Sequence, residues 1–140
     1  MCNLAIRIAE LLEAIEQERG KFKVKCLVAQ YPDDVHWDLI LWAEWFEPDE
    51  KQRLDYLIKK IINPLDYNLM NQFNAIITFD PDDNNEFLRS LLKIQDNYLK
   101  GRYQGVYNSE LIEVATTLPQ ARLVIPLTRL PVDTRLEALA

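Results

Sequence analysis

The chain has 140 residues, a length that fits one domain and can bury about two-thirds of its unfolded surface without a disulfide or a metal. Its 49% hydrophobic and 27% charged residues are typical of globular proteins, and its 3 glycines and 7 prolines argue against a long linker. The net charge of −6 disfavours nonspecific binding to nucleic acid or to an anionic membrane. We therefore expect a single domain over 1–140.

The first segment predicts an amphipathic helix. Apolar residues recur at spacings of three and four over 4–19, and Gly20 follows where a left-handed helix cap is common. The acidic residues Glu10, Glu13 and Glu16 are expected on the solvated side of this helix.

The composition of this first segment and the two cysteines bear on the cellular compartment. Charged residues interrupt the apolar N-terminal segment, so we expect no signal peptide, and no apolar run approaches the roughly 18 residues of a membrane helix. Cys2 and Cys26 form no CxxC motif, and unpaired cysteines suit a reducing compartment. We predict a cytoplasmic protein without a cofactor and without a membrane partner.

The stretch 21–46 predicts a β-hairpin. Lys21, Lys23 and Lys25 alternate along its first strand, a pattern typical of a solvated edge strand. The second strand is largely apolar on both faces, which indicates a central position in a sheet. The hairpin is therefore expected to lead the sheet.

The remaining elements follow from apolar periodicity and from breaker residues. We predict a helix over 47–62 with Pro48 in its first position, a short helix over 66–72 that buries Leu69, Met70 and Phe73, a short buried strand over 74–79, a helix over 85–100 that ends at Gly101, and a strand over 121–126. Residues 102–118 fit a strand over 105–114 or a helix over 109–118, with the strand favoured, and 130–140 fit a tail or a loose helix.

This order of elements predicts the fold class. Because a hairpin is followed by alternating helices and strands, we expect an α+β fold. Its mixed, mostly antiparallel sheet of four to five strands would begin with the hairpin at about 21–46, with helices packed on the sheet.

Pro32, Asp33 and Glu44 resemble the acidic hairpin of the PD-(D/E)xK nucleases. The resemblance implies that Asp33 and Glu44 hold a divalent ion, which activates a water for phosphodiester hydrolysis. The family has a lysine two residues after the second acid, where this chain has Phe46. The alternative function is therefore a divalent-metal phosphodiesterase with a degenerate site.

A second acidic cluster precedes the helix over 85–100. Asp80, Asp82 and Asn84 match the first three ligand positions of an EF-hand calcium loop. The chain has Asn85 where that loop needs glycine and Leu91 where it needs a bidentate glutamate. Helix capping explains the cluster better, so Asp80 and Asp82 are metal ligands only in the alternative interpretation.

Aromatic residues supply the candidate contacts of the preferred interpretation. Trp37, Trp42 and Trp45 lie in the hairpin, and Tyr103 and Tyr107 lie near two glycines; aromatic residues are enriched at interfaces. Because strand faces alternate, Trp42 is expected on the opposite face from the other two tryptophans. We find no nucleophile–base pair and no phosphate-binding glycine loop. The sequence therefore favours a small, non-catalytic interaction or regulatory domain that binds a protein partner or a second copy of itself.

Overall fold

The computed structural model describes residues 3–31, 36–104, 111 and 113–129, with the side chains of 101–104 left out. In this part of the chain, helices pack on a five-stranded mixed sheet, which confirms the α+β class. The elements are α1 (Asn3–Arg19), β1 (Val24–Ala29), β2 (Trp37–Trp42), α2 (Glu50–Leu57), a π-helical segment (Ile58–Ile62), α3 (Tyr67–Met70), β3 (Phe73–Thr78), α4 (Glu86–Gln104), β4 (Val114–Ala115) and β5 (Leu123–Pro126).

The strand order in the sheet is β3-β2-β1-β5-β4. β1 and β2 pair antiparallel as the predicted leading hairpin, and β5 pairs antiparallel with both β1 and β4. β2 and β3 are parallel, and α2 lies in the crossover between them. The sheet is therefore mixed and mostly antiparallel, as the sequence predicts.

Each face of the sheet builds its own core, because successive side chains of a strand point to opposite faces. Leu39 and Leu41 of β2 join a core formed with α1, α2 and the π-helical segment. Ile40 of β2 joins a second core with Leu88 and Leu91 of α4. The sheet is thus covered on both sides over its central strands. No helix in the described ranges has the length and hydropathy that a bilayer span needs.

Gly20 ends α1 as the sequence predicts. Its φ of 124° lies in the region that favours glycine, and its N–H donates to the Glu16 carbonyl at 3.0 Å. A Cβ at this position would stand 3.2 Å from Cδ1 of Trp45, whose Nε1 donates to the Gly20 carbonyl at 2.9 Å. The helix end and the chain after β2 are thus held together at this glycine.

The prediction of a solvated lysine face is wrong for Lys25. β1 lies between β2 and β5, so it is a central strand, and Lys25 is only 5% exposed. Its Nζ donates to Oε1 of Glu16 at 2.7 Å, so Glu16 is not on the solvated side of α1 either. The buried ion pair between helix and strand explains both errors.

The prediction of a buried strand over 74–79 is also wrong in its burial. β3 pairs only with β2 among the described strands and therefore forms an edge of the sheet, where Ile77 is 37% exposed. The short helix before it was expected to bury Met70, but α3 has no buried residue and Met70 is 38% exposed. An apolar run thus lies at the sheet edge instead of its centre.

Two predicted helix ends differ from the structure, the start of α2 and the end of α4. α2 begins after Asp49, whose carboxylate accepts from the backbone N–H groups of Lys51 and Gln52, so Pro48 precedes the cap. α2 then continues as a π-helical segment. α4 passes through Gly101 to Gln104. Within the segment 102–118, for which the sequence left strand and helix open, β4 (Val114–Ala115) is a strand. Residues 105–110 and the predicted tail over 130–140 lie outside the described residues.

The chain after β5 returns to α1. Arg129 donates to both carboxylate oxygens of Glu13, at 2.8 Å from Nε and 2.6 Å from Nη2. These hydrogen bonds hold the pKa of Glu13 below its ordinary value. The pair anchors the described end of the chain to the first helix.

Candidate functional site

The acids of the nuclease-like interpretation do not form a visible cluster. Glu44 lies in the turn after β2 with its side chain 82% exposed, and Oε1 of Glu44 is 3.5 Å from Nζ of Lys23. Asp33 lies outside the described residues. Over the described ranges, no group of three or more His, Cys, Asp or Glu side chains is placed to hold a metal ion.

Asp80 is paired with a buried cation. Its Oδ1 accepts from Nη1 of Arg53 at 3.0 Å, and its carbonyl accepts from Nε1 of Trp42 at 3.0 Å. Arg53 also donates from Nε to the Thr78 hydroxyl at 2.8 Å. The strand end where open sheets often place ligand groups is thus occupied by an internal ion pair.

The loop after Asp80 caps the next helix. Oδ1 of Asp83 accepts from the N–H of Asn85 at 3.0 Å, and Oδ1 of Asn85 accepts from the N–H of Leu88 at 2.9 Å. Asp82 is exposed. These bonds satisfy amides that a helix N-terminus leaves free, so capping accounts for the acidic pattern.

We expect 5 mM Mg²⁺, Mn²⁺ or Ca²⁺, on the order of a weak site's dissociation constant, to leave the thermal midpoint unchanged. The reason is that the carboxylates of Glu44 and Asp80 are each paired with a cation of the chain. Differential scanning fluorimetry measures the midpoint. A rise that disappears in Glu44→Gln would instead support the metal-dependent phosphodiesterase.

Two of the three candidate tryptophans lie in the cores. Trp37 is 8% exposed and packs on the α1 side of the sheet, whereas Trp42 is 7% exposed and packs on the α4 side, as strand alternation predicts. Neither offers much surface to a partner. Tyr103 lies in the last turn of α4, where side chains are not described, and Tyr107 lies outside the described residues.

Trp45 is partly buried in an aromatic cluster at the end of α1. Its ring makes edge contacts with Phe22, Phe46 and Tyr56 at centroid distances of 5.3, 4.9 and 6.2 Å. The guanidinium of Arg19 lies 5.0 Å from the Trp45 centroid and 4.9 Å from that of Tyr56. The cluster thus packs the end of α1 against the chain after β2, and Arg19 of the same chain already makes the cation–π contacts with its rings.

An exposed apolar groove lies at the open side of β3, the strand at one edge of the described sheet. A groove of about 400 Å³ runs between this strand, the α2 helix and the π-helical segment. Its exposed side chains include Ile58 at 43% and Met70 at 38%, and Ile77 adds 37% on the other face. We call the free side of β3 together with Ile58, Ile62, Met70 and Ile77 the β3 edge surface.

Sequence reasoning missed this surface, although a signal was present. No residue from 67 to 79 carries a charge, in a chain whose charged fraction is 27%. Natural edge strands are usually protected by lysine, proline or a charged inward residue, and β3 has none of these. An uncharged run was interpreted as a buried strand because that is its usual position.

Comparisons of the chain with protein-family models, with curated proteins and with solved structures found no match. The functional assignment therefore depends on the residues of this chain and on their geometry.

Proposed function

We propose that this chain is a non-catalytic interaction domain that binds a protein through the β3 edge surface. The observation that carries the proposal is an apolar groove beside an edge of β3 that no described strand covers. The proposal places the domain in the cytoplasm. Cys26 is a free thiol with 2% exposure, which suits a reducing compartment.

A strand edge and an adjacent apolar groove bind protein segments through complementary contacts. The edge offers unpaired N–H and C=O groups to an added strand, and the groove accepts its side chains. Apolar surface of this kind marks interaction sites on soluble proteins. Ile58, Met70 and Ile77 supply it here, since each keeps more than a third of its surface exposed.

The groove is less suited to a small polar ligand. Small-molecule sites combine an apolar cavity with a few converging polar groups. Asn74 is the one polar side chain that lines this groove, and its Nδ2 already donates to Oδ1 of Asp38 at 2.8 Å. The lining thus matches apolar side chains of a protein better than a charged metabolite.

The proposal is tested by placing a charge in the groove. Ile58→Glu puts a carboxylate into the β3 edge surface, whereas Gln52→Glu adds the same charge at an exposed position of α2. Both variants and the wild-type chain are immobilised, and the proteins captured from a lysate of the source cells are compared by quantitative mass spectrometry. We expect Ile58→Glu to reduce capture of specific partners about tenfold or more, and Gln52→Glu to retain it.

The variants must keep the fold, which circular dichroism checks through the helical signal and the melting midpoint. If folded Ile58→Glu captures the same proteins in the same amounts as Gln52→Glu, the β3 edge surface is not the interaction site and the proposal is wrong.

A further inference from the structure

We propose that α4 is a lid on the sheet, which opens while the α1 side of the domain stays folded, and that two hydrogen bonds of the Gln95 amide hold it closed. This inference goes beyond the proposed function, because it uses neither the groove beside β3 nor the open edge of that strand. It assigns a conformational role to the helix on the other face of the sheet.

The helices on the two faces of the sheet are similar in length but bury different amounts of apolar surface. α4 has 19 residues, and among its described side chains, those of 86–100, the fully buried apolar ones are Leu88 and Leu91. α1 has 17 residues and buries Leu4, Ala5, Ile8, Ala9, Leu12 and Ile15. Because apolar burial is the main force that holds a helix on a sheet, α4 is held less strongly than α1.

Charged contacts add to this difference. α1 is tied to the sheet by the buried ion pair of Glu16 with Lys25, and to the chain after β5 by the bidentate pair of Glu13 with Arg129. Breaking the buried pair would leave a charge without its partner, which is costly. α1 therefore stays in place under conditions that release a helix held by neutral groups.

α4 reaches the backbone of β1 through a neutral amide. Oε1 of Gln95 accepts from the N–H of Lys25 at 3.2 Å, and Nε2 of Gln95 donates to the carbonyl of Lys23 at 2.9 Å. The ladder between β1 and β5 begins at Cys26, so these two backbone groups precede it. The amide, on a residue only 8% exposed, thus takes the place of a neighbouring strand.

The chain connection allows α4 to move without disturbing the sheet. Asp80 is fixed after β3, because its carboxylate accepts from Arg53 and its carbonyl accepts from Nε1 of Trp42. The loop over 81–85 then leads into α4 and supplies the hinge. The ladders of β1 with β2 and β5, and of β2 with β3, contain no residue of α4, so opening breaks none of their hydrogen bonds.

The closed lid covers an apolar face of the sheet that contains Cys26. This residue is 2% exposed and lies in the same core as Leu88 and Leu91. Burial raises the pKa of the Cys26 thiol, so the reactive thiolate does not form while α4 is closed. The reaction rate of Cys26 therefore reports the opening of α4.

Thiol labelling of the full chain in a Cys2→Ser background tests the lid. The Cys26 thiolate attacks the disulfide of Ellman's reagent, a mixed disulfide forms, and one thionitrobenzoate leaves, whose absorbance gives the rate. Opening of one helix exposes much less surface than global unfolding does. We therefore expect the opening free energy to fall with urea at less than about half the slope of global unfolding.

Two variants separate the hydrogen bonds of Gln95 from general stability. Gln95→Met keeps a side chain of similar length but loses both hydrogen bonds, and it should label about tenfold faster or more in buffer. Ile15→Val removes a methyl group from the α1 side and should lower the urea midpoint of global unfolding. Its labelling rate in buffer should stay unchanged, because Ile15 packs in the same way whether α4 is open or closed.

Hydrogen exchange followed by mass spectrometry tests the lid without a substitution. Peptides from 86–100 of the wild-type chain should exchange their amide hydrogens faster than peptides from 4–19, since α4 opens while α1 remains folded. Both ranges are helical, so the comparison is between amides with the same kind of hydrogen bond.

The inference is wrong if Cys26 labelling has the urea dependence of global unfolding, because the thiol would then react only after the whole domain unfolds. Equal acceleration by Gln95→Met and Ile15→Val would also overturn it. If Gln95→Met does not fold, the urea dependence in the Cys2→Ser chain and the exchange of the two helices still decide. Equal exchange of α4 and α1 contradicts the lid and leaves the proposed function of the β3 edge surface untouched.

Discussion

Glu16→Ala is expected to lower the free energy of unfolding by about 3–5 kcal/mol, the cost of leaving a buried ammonium without its partner. The side chains of Glu16 and Lys25 are only 5% and 7% exposed, so water cannot replace the lost carboxylate at its position. Total stability of a domain this size is about 5–15 kcal/mol. The variant should therefore lose a large part of the stability of the domain.

The same carboxylate holds two parts of the chain. Oε1 of Glu16 accepts from Nζ of Lys25 at 2.7 Å, and Oε2 accepts from the backbone N–H of Phe22 at 3.0 Å. Alanine removes both acceptors, so the connection from α1 to β1 loses its anchor at the same time as the ammonium loses its counter-charge. Burial of this ion pair makes it unlike a surface pair, whose removal costs about 1 kcal/mol or less.

Urea unfolding followed by circular dichroism measures the loss, and two variants provide the comparison. Glu10→Ala removes an exposed acid from the same helix and should change stability by about 0.5 kcal/mol or less. The double variant Glu16→Leu with Lys25→Met removes both charges and should recover the part of the loss that comes from the unpaired ammonium, because apolar replacement of a buried pair is often neutral, while the Phe22 N–H still lacks its acceptor. If Glu16→Ala costs no more than Glu10→Ala, the pair is solvated in solution.

Local patterns predicted the elements of this fold well. The spacing of apolar residues over 4–19 and the glycine that follows predicted α1 and its left-handed cap, because both depend on neighbours along one helix. Alternation in the hairpin predicted that Trp42 lies on the opposite face from Trp37. Such features need no knowledge of the rest of the chain.

The position of each strand in the sheet was not predictable in the same way. β1 is central because β5 pairs with it from the far end of the chain, Leu27 standing opposite Ile125. The residues around Lys25 do not indicate that β5 pairs with this strand or that Glu16 of α1 lies next to the Lys25 ammonium. β3 is an edge for the converse reason: its apolar run fits a central strand, but no described strand covers its second side.

The surface that we propose as the interaction site is not the one that the sequence predicted. Apolar contact with a protein was expected, but it was assigned to the tryptophans, two of which fill the cores. Large aromatic residues are common both in cores and at interfaces, so their type alone does not separate the two. The absence of charge from 67 to 79 was the more informative signal, since a surface element without charge needs a physical explanation.

Arg53→Met is expected to lower the free energy of unfolding by about 2–4 kcal/mol, because it removes the hydrogen bonds that a buried guanidinium donates to three partly buried acceptors. Nε of Arg53 donates to the Thr78 hydroxyl, and Nη1 donates to the carbonyl of Glu47 at 3.1 Å and to the carboxylate of Asp80. Arg53, a residue only 4% exposed, thus links the start of α2 to the chain before it and to the end of β3. A methionine fills the volume but donates no hydrogen bond.

Urea unfolding again measures the effect, with Asp80→Asn as the matched control. The side chain of Asp80 is 61% exposed, so its ion pair is screened by water, and this variant should cost about 1 kcal/mol or less. Arg53→Lys should fall between the two, because an ammonium keeps the charge but lacks the planar fork that reaches several acceptors. If Asp80→Asn destabilises as much as Arg53→Met, the ion pair with Asp80 accounts for the effect of Arg53, and its hydrogen bonds to Thr78 and to the Glu47 carbonyl contribute little.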